Sequence, residues 1–165
     1  MKFLNLPDYA RFATPLGPML AAATDQGLCG LWFDGQRHQP DMATWKWVPQ
    51  HPLLQQTAAF MDAYFTGATA RFSLPLDLAG GTPFQQTVWQ ALLQIPRGAT
   101  TSYGALSQSL GRPSAVRAVA GAVGRNPVSV LVPCHRVIGM YGSLTGYAGG
   151  LERKTALLQL EGVLV

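Results

Sequence analysis

At Gly80-Gly81-Thr82-Pro83 the chain changes character, so no single regular architecture can run through that point. Before it, short apolar stretches are interrupted by turn residues. After it, apolar residues recur at helical spacing. Charge divides at the same place. Residues 1–81 hold five Lys/Arg and six Asp/Glu, whereas residues 82–165 hold seven Lys/Arg and two Asp/Glu. Two domains are therefore expected, 1–79 and 82–165. Hydrophobic residues make up 48% of the chain and charged residues only 12%, which excludes a disordered protein, because disorder needs the reverse balance. No apolar run approaches the ~18 residues of a membrane span. The N-terminal MKFLNLPDYA has too short an apolar run for a signal peptide. A cytoplasmic protein with no membrane contact is the expectation.

The first half reads as a small α/β domain. Residues 11–14, 19–23 and 28–33 have strand character, with turns at Pro15-Leu16-Gly17-Pro18 and Asp25-Gln26-Gly27. Residues 53–65 predict a helix that Gly67 stops, and residues 71–76 a further strand. Trp45-Lys46-Trp47 has no readable pattern. The second half reads as mostly helical. Helices are expected at 84–94, 103–110, 114–123 and 151–160. Ser102 is a candidate N-cap for the second of these and Ser114 for the third. Residues 128–132 are β-branched and expected to be extended. Residues 139–150 form a loop with five glycines.

The helices at 103–110 and 114–123 form a helix-turn-helix pattern. On the second of them Val116, Val119, Ala120 and Val123 share a face expected to be buried. The opposite face shows Arg117, Ala118, Gly121, Ala122, Gly124 and Arg125, nearly bare of side chains with an arginine near each end. A smooth helix can approach another surface closely, and its arginines can reach phosphate or enter a groove. It has few groups with which to read base edges, so DNA contact with little sequence choice is one reading. A close helix–helix contact inside the protein is the other. The charge field favours the first: residues 78–151 contain no carboxylate and five arginines, Arg97, Arg112, Arg117, Arg125 and Arg136.

Pro133-Cys134-His135-Arg136 lies between the extended run and the glycine loop. A nucleophilic cysteine needs a base to become thiolate, and His135 is the only histidine after residue 81. Neighbouring side chains on an extended strand point to opposite faces, so the pair needs a turn or a bridging water to communicate. A histidine acting as base also needs its tautomer set, usually by a carboxylate. Only Glu152 and Glu161 are available in this half, and Glu161, at the end of the last helix, is the better placed. The alternative is a buried structural cysteine beside an incidental histidine. Cys29 is the only other cysteine. A disulfide between the two is possible on count alone but disfavoured in a reducing compartment. Neither cysteine has zinc-ligand spacing.

The stretches TPFQQTVWQALLQIPRG, TSYGALSQSLGRP, RAVAGAVGRNP, PCHRVIG and LTGYAGGLERKTALLQLEG follow one another through residues 82–162. Together they resemble the O6-alkylguanine-DNA alkyltransferases, specifically the bacterial constitutive members. The first half is similar only loosely, in ATPLGPM and AYFTG. The resemblance implies a ribonuclease-H-like α/β domain followed by a winged-helix domain. It implies an irreversible, single-turnover transfer of the alkyl group from O6-alkylguanine, after base flipping, to Cys134. In that scheme His135 deprotonates Cys134 through a water, Glu161 orients His135, and Asn126 organises the turn beneath the cysteine. Tyr103 hydrogen-bonds the guanine ring. Arg117 fills the gap in the base stack, with Ser102, Ala118, Gly121, Ala122 and Arg125 on the DNA-facing surface. Val137, Tyr147, Ala148 and Gly149 line the pocket for the flipped base. The implied partner is double-stranded DNA, with the protein acting as a monomer. Alkyl size, activity on O4-alkylthymine and cooperativity on DNA are left open.

No cofactor or metal is implied. Cys29 with His38 and His51 does not reproduce the zinc cluster of some relatives. Ala148 stands where some relatives place serine, so backbone amides must serve O6. Ala120 replaces a glycine common after RAV. A Cys-His hydrolase would share the nucleophile but not the basic helix-turn-helix, and non-enzymatic relatives that only sense lesions lack the cysteine.

Overall fold

Two units make up the computed structural model, which describes residues 1–3 and 5–164. One comprises Met1–Gly81 with Pro127–Ser129, the other Thr82–Asn126 with Val130–Val165. Among the described residues no helix is long and apolar enough to cross a membrane.

The first unit is built on a four-stranded sheet in the order β3-β2-β1-β4, from β1 (Asp8–Phe12), β2 (Met19–Thr24), β3 (Gly27–Phe33) and β4 (Lys46–Trp47). The first three strands are antiparallel neighbours, and β4 runs parallel to β1. Nearly every residue of β2 and β3 is buried, so the polar–apolar alternation of a half-exposed strand is missing from their sequence. Leu20, Ala22, Cys29 and Trp32 form a cluster, against which Phe3, Tyr9, Met42 and Trp45 pack. Helix α1 (Pro52–Phe65) packs against β1–β3 and buries Leu54, Thr57, Met61 and Tyr64. His51 caps it, accepting from the backbone N–H of Leu53 at 3.2 Å.

Two expectations for strands fail here. Residues 71–76 contribute only a single bridge, Leu76 to Leu28, because Pro75 has no N–H to extend a ladder. Residues 128–132 likewise pair only at Val128, which bridges Leu31. Two residues later Val130 has φ +72°, a left-handed conformation that no strand continues through. The tryptophans of the unreadable segment are structural. Trp45 makes an edge contact with Phe3 at 5.9 Å, and Trp47 with Tyr9 at 5.3 Å.

The second unit contains α2 (Pro83–Leu92), α3 (Tyr103–Ser109), α4 (Val116–Gly124) and α5 (Leu151–Leu160). A two-stranded parallel sheet joins β5 (Thr101–Ser102) to β6 (Val137–Ile138). The Thr82-Pro83 signal opens α2 with a capping box, in which Thr82 and Gln85 each accept from the other's backbone N–H. Ser102 caps α3 by accepting from Ala105 N–H at 3.0 Å. Ser114 does not cap α4. The cap is Ala115, with no side-chain hydrogen bond, and the connection from α3 is held instead by the Ser107 hydroxyl donating to Arg112 O.

Gly30 offers a test of the first unit's packing. A Cβ built on Gly30 would fall inside the Trp32 ring, which is fully buried and two residues along the same strand face. Gly30→Ala should destabilise the protein by about 1–3 kcal/mol through this overlap, measured as a shift in the urea midpoint. A midpoint equal to wild type would show that Trp32 repacks freely.

Candidate functional site

The apolar run ends in a 3₁₀ turn, Cys134–Arg136, and that turn solves the problem of neighbouring side chains on an extended chain. Both Cys134 and His135 are turned inward, at 6% and 0% exposure. Directly after α4, the Asn126 amide donates one N–H to Val132 O at 2.7 Å and the other to Cys134 Sγ at 3.0 Å. It thus ties the backbone entering the turn to the sulfur itself.

His135 Nε2 and Glu161 Oε1 are 2.9 Å apart, and both side chains are fully buried. A carboxylate can only accept, so Nε2 carries the proton and donates it. Nδ1 is then the unprotonated nitrogen. It is buried and meets no hydrogen-bond partner among the described residues. The ring therefore keeps one basic lone pair inside the site. Burial lowers the basicity of His135, the Glu161 hydrogen bond and charge oppose this, and Arg136 and Lys154 reinforce it. Burial also pushes the Cys134 thiol up, against the lowering effects of the Asn126 hydrogen bond and the Lys154 charge. The resting pair is a thiol beside a neutral imidazole.

Tyr103 opens α3. The parallel pairing of β5 with β6, Thr101 to Val137 and Ser102 to Ile138, brings it beside the stretch that follows the turn. Its hydroxyl donates to Thr145 O at 3.2 Å. Its ionisation is suppressed by burial first and then by the Cys134 charge, so it remains a donor at neutral pH. Val137 is fully buried; Tyr147 and Ala148 are half-buried and Gly149 is buried.

Two residues at the centre were not among the sequence-derived candidates. Lys154 of α5 is fully buried, and its ammonium donates to Val137 O at 2.6 Å and to Thr145 O and Gly146 O at 3.2 Å each. It pins the glycine loop from within. Burial lowers its pKa and the Cys134 charge raises it. Arg136 grips both oxygens of Glu161, with Nε to Oε2 and Nη2 to Oε1 at 2.8 Å each. A signal for Lys154 did exist: it lies three and four residues before Leu157 and Leu158, on the stripe of α5 that must be buried, and Glu161 continues that stripe.

The basic surface is smaller than the charge count implies. Arg136 is directed inward, and Arg97 donates to Leu160 O at 3.2 Å. Arg112 is exposed, with its guanidinium 5.5 Å from the centre of the Phe84 ring. Arg117, Ala118 and Arg125 are exposed on α4. Ala122, placed on the bare face by sequence, is instead 4% exposed, and its carbonyl accepts from Trp89 Nε1 at 2.9 Å. The helix meets the core through Val119, Ala122 and Val123, because the buried arc is centred one residue further round than the valine spacing implied.

Among the described residues no group of three or more His, Cys, Asp or Glu is placed to hold a metal. Cys29 is a buried free thiol in β3, and burial raises its pKa to about 12.

Comparison with known proteins bears on both units. Residues 8–78 match the ribonuclease-like domain of 6-O-methylguanine DNA methyltransferase, and residues 83–163 match its DNA binding domain. A methylated-DNA–protein-cysteine methyltransferase of Mycobacterium leprae is 46% identical over 90% of this chain and 88% of its own length. One from Methanosarcina acetivorans is 42% identical over 93% of this chain and 97% of its own. The crystal structure of Mycobacterium tuberculosis OGT in complex with DNA superposes with a TM-score of 0.86 at 44% identity. It covers 93% of this chain and 92% of that one.

Lys154→Met would remove the donor to three carbonyls at once. Leaving buried acceptors unsatisfied costs roughly 1–3 kcal/mol each before relaxation. A loss of about 3 kcal/mol in unfolding free energy is expected. A loss below about 0.5 kcal/mol in a urea titration would mean that the carbonyls find other donors.

Proposed function

The chain belongs to the 6-O-methylguanine DNA methyltransferase family, and we propose that it repairs DNA by moving the alkyl group from O6 of guanine to its own Cys134. The observation that carries this is the placement of Cys134 Sγ. It is buried, hydrogen-bonded by Asn126, and preceded by nothing acidic in its half of the chain. In the residue that follows it, a histidine has its proton fixed on the nitrogen facing Glu161.

The thiol proton passes to His135 Nδ1, through a water in the scheme the family resemblance implies. The sulfur then attacks the alkyl carbon, the carbon–O6 bond breaks, and its electron pair stays on the guanine oxygen. Tyr103, exchanging Thr145 O for the guanine ring, donates a hydrogen bond to the leaving base. The departing guanine anion takes up a proton from water and His135 gives one up to water, so the products are neutral guanine, a neutral imidazole and a thioether at Cys134. Cleaving a thioether carbon–sulfur bond is beyond the hydrogen-bonding and acid–base groups among the described residues, so each molecule acts once.

The target atom lies inside the duplex, so the base must leave the stack. Arg117 fills the gap, and Ser102, Ala118, Gly121 and Arg125 lie along the approaching backbone. Val137, Tyr147, Ala148 and Gly149 receive the flipped base. The protein acts as a monomer on double-stranded DNA. The need for a free thiol fits a reducing cytoplasm.

Intact-mass and peptide mass spectrometry after mixing with a duplex containing O6-methylguanine should show a single methyl on Cys134. Cys134→Ser should show none while keeping its DNA affinity within a few-fold. A methyl on Cys29, or continued turnover of an ester or peptide, would overturn the assignment.

The α4 face is tested separately. A Cβ at Gly121 meets only the Arg125 guanidinium, at 3.8 Å. Gly121→Ala should therefore stabilise the helix by about 0.5–1 kcal/mol. If this face lies against DNA, the same change should weaken duplex binding. Raised thermal stability with unchanged affinity would remove α4 from the interface.

A further inference from the structure

Glu161 has no free oxygen in the described contacts. Oε1 accepts from His135 Nε2 and from Arg136 Nη2, and Oε2 accepts from Arg136 Nε. The remaining Arg136 nitrogen, Nη1, donates to Ile95 O at 2.6 Å, in the connection between α2 and β5. Arg136 is therefore a three-point clamp. Its side chain is 12% exposed and that of Glu161 is 0% exposed, so little water competes for the pair. The backbone also fits around it: Arg97, two residues after Ile95, donates to Leu160 O, next to Glu161.

A bare buried carboxylate bonded to a histidine stabilises the imidazolium strongly. An imidazolium has no lone pair at Nδ1 and cannot take the thiol proton. The orienting carboxylate thus works against the base it orients, and burial of the ring is the first effect that opposes it. A cation shared with that carboxylate offsets this effect, provided the cation is held where it cannot replace the imidazole.

We propose that Arg136 is a positioning residue for the transfer: its fork fixes the orientation of Glu161 against His135, and its charge balances the carboxylate that His135 faces. This rests on the reading of Cys134, His135 and Glu161 as the transfer centre. The charged and titratable groups facing His135 are Glu161 and Lys154 from α5, with Arg136 and Cys134 from its own turn. Tyr103 on α3 feels the charge of Cys134. Of these only Glu161 favours the protonated ring, while Arg136 and Lys154 both disfavour it.

The test is single-turnover methyl transfer from an O6-methylguanine duplex, with protein saturating, across pH 5.5–9. Wild type and Glu161→Gln are run first. A wild type that forms no Cys134 adduct would refute the transfer-centre reading itself, before any Arg136 variant is compared. Given an active wild type, Arg136→Gln should move the acid limb of the rate profile to higher pH by about half to one unit. The direction follows because loss of the cation lets His135 protonate at higher pH. Arg136→Lys keeps the charge but cannot form the fork. Its acid limb should stay at the wild-type position while its plateau falls about ten-fold. A purely structural role predicts a lower plateau for Arg136→Gln with no shift of the limb, and that result would overturn the proposal. Arg136→Gln removes one partner of a buried pair and can fail to fold. Arg136→Lys then decides: a plateau within two-fold of wild type, or a shifted limb, refutes the clamp.

Discussion

The buried carboxylate of Glu161 is the group on which the site depends. Removing it from water is costly, and that cost is met only because His135 and Arg136 supply three hydrogen bonds from one short turn. In doing so the carboxylate draws together the Cys134–Arg136 turn and the end of α5, and through Arg136 the Ile95 connection. It also decides which imidazole nitrogen carries the proton. The geometry of the cysteine is set by different contacts, through Asn126 from the end of α4. Cys134 and His135 are thus oriented by separate elements, and each can be perturbed without the other.

Helix α5 serves twice. Glu161 at its C-terminal end addresses the base, while Lys154 near its N-terminal end addresses the glycine loop and β6. A buried lysine is rare because its charge must be matched. Here three carbonyl dipoles do so, and a developing thiolate at Cys134 would add a full opposite charge. The same cation therefore holds the loop in place and lowers the energy of the reactive form of sulfur. Tyr103 reaches Thr145 O from the other side, so the loop is tied to both α3 and α5.

The α4 surface is marked by what it lacks. With Ala122 buried, the face narrows to Ala118, Gly121 and Gly124 between Arg117 and Arg125. Two arginines can bind phosphate or enter a groove, but three small residues cannot read a base edge. That suits a protein whose target is a chemical lesion, present in any sequence context.

Much of this was legible along the chain. The helix-turn-helix, the cap at Ser102 and the limits of α5 all depend on local spacing and on residues that act on their immediate neighbours. The Cys134–His135 pair, and the shortage of carboxylates that singled out Glu161 as the partner of His135, were legible for the same reason. What tertiary structure decided was which charges face inward. Arg136 and Lys154 look like solvated cations in a basic segment, because a side chain's burial depends on partners far away in sequence. Glu161 lies 25 residues from Arg136, and Val137 lies 17 from Lys154. The failed strands at 71–76 and 128–132 have the same origin. Their residue types favour extension, but a strand exists only where a partner's N–H and C=O groups are in register. At those places the chain meets β3 for one bridge each. Sequence alone thus determined the local elements and which residues stand together in the Cys134–Arg136 turn; long-range pairing determined the protonation, the anchoring and the true extent of the basic face.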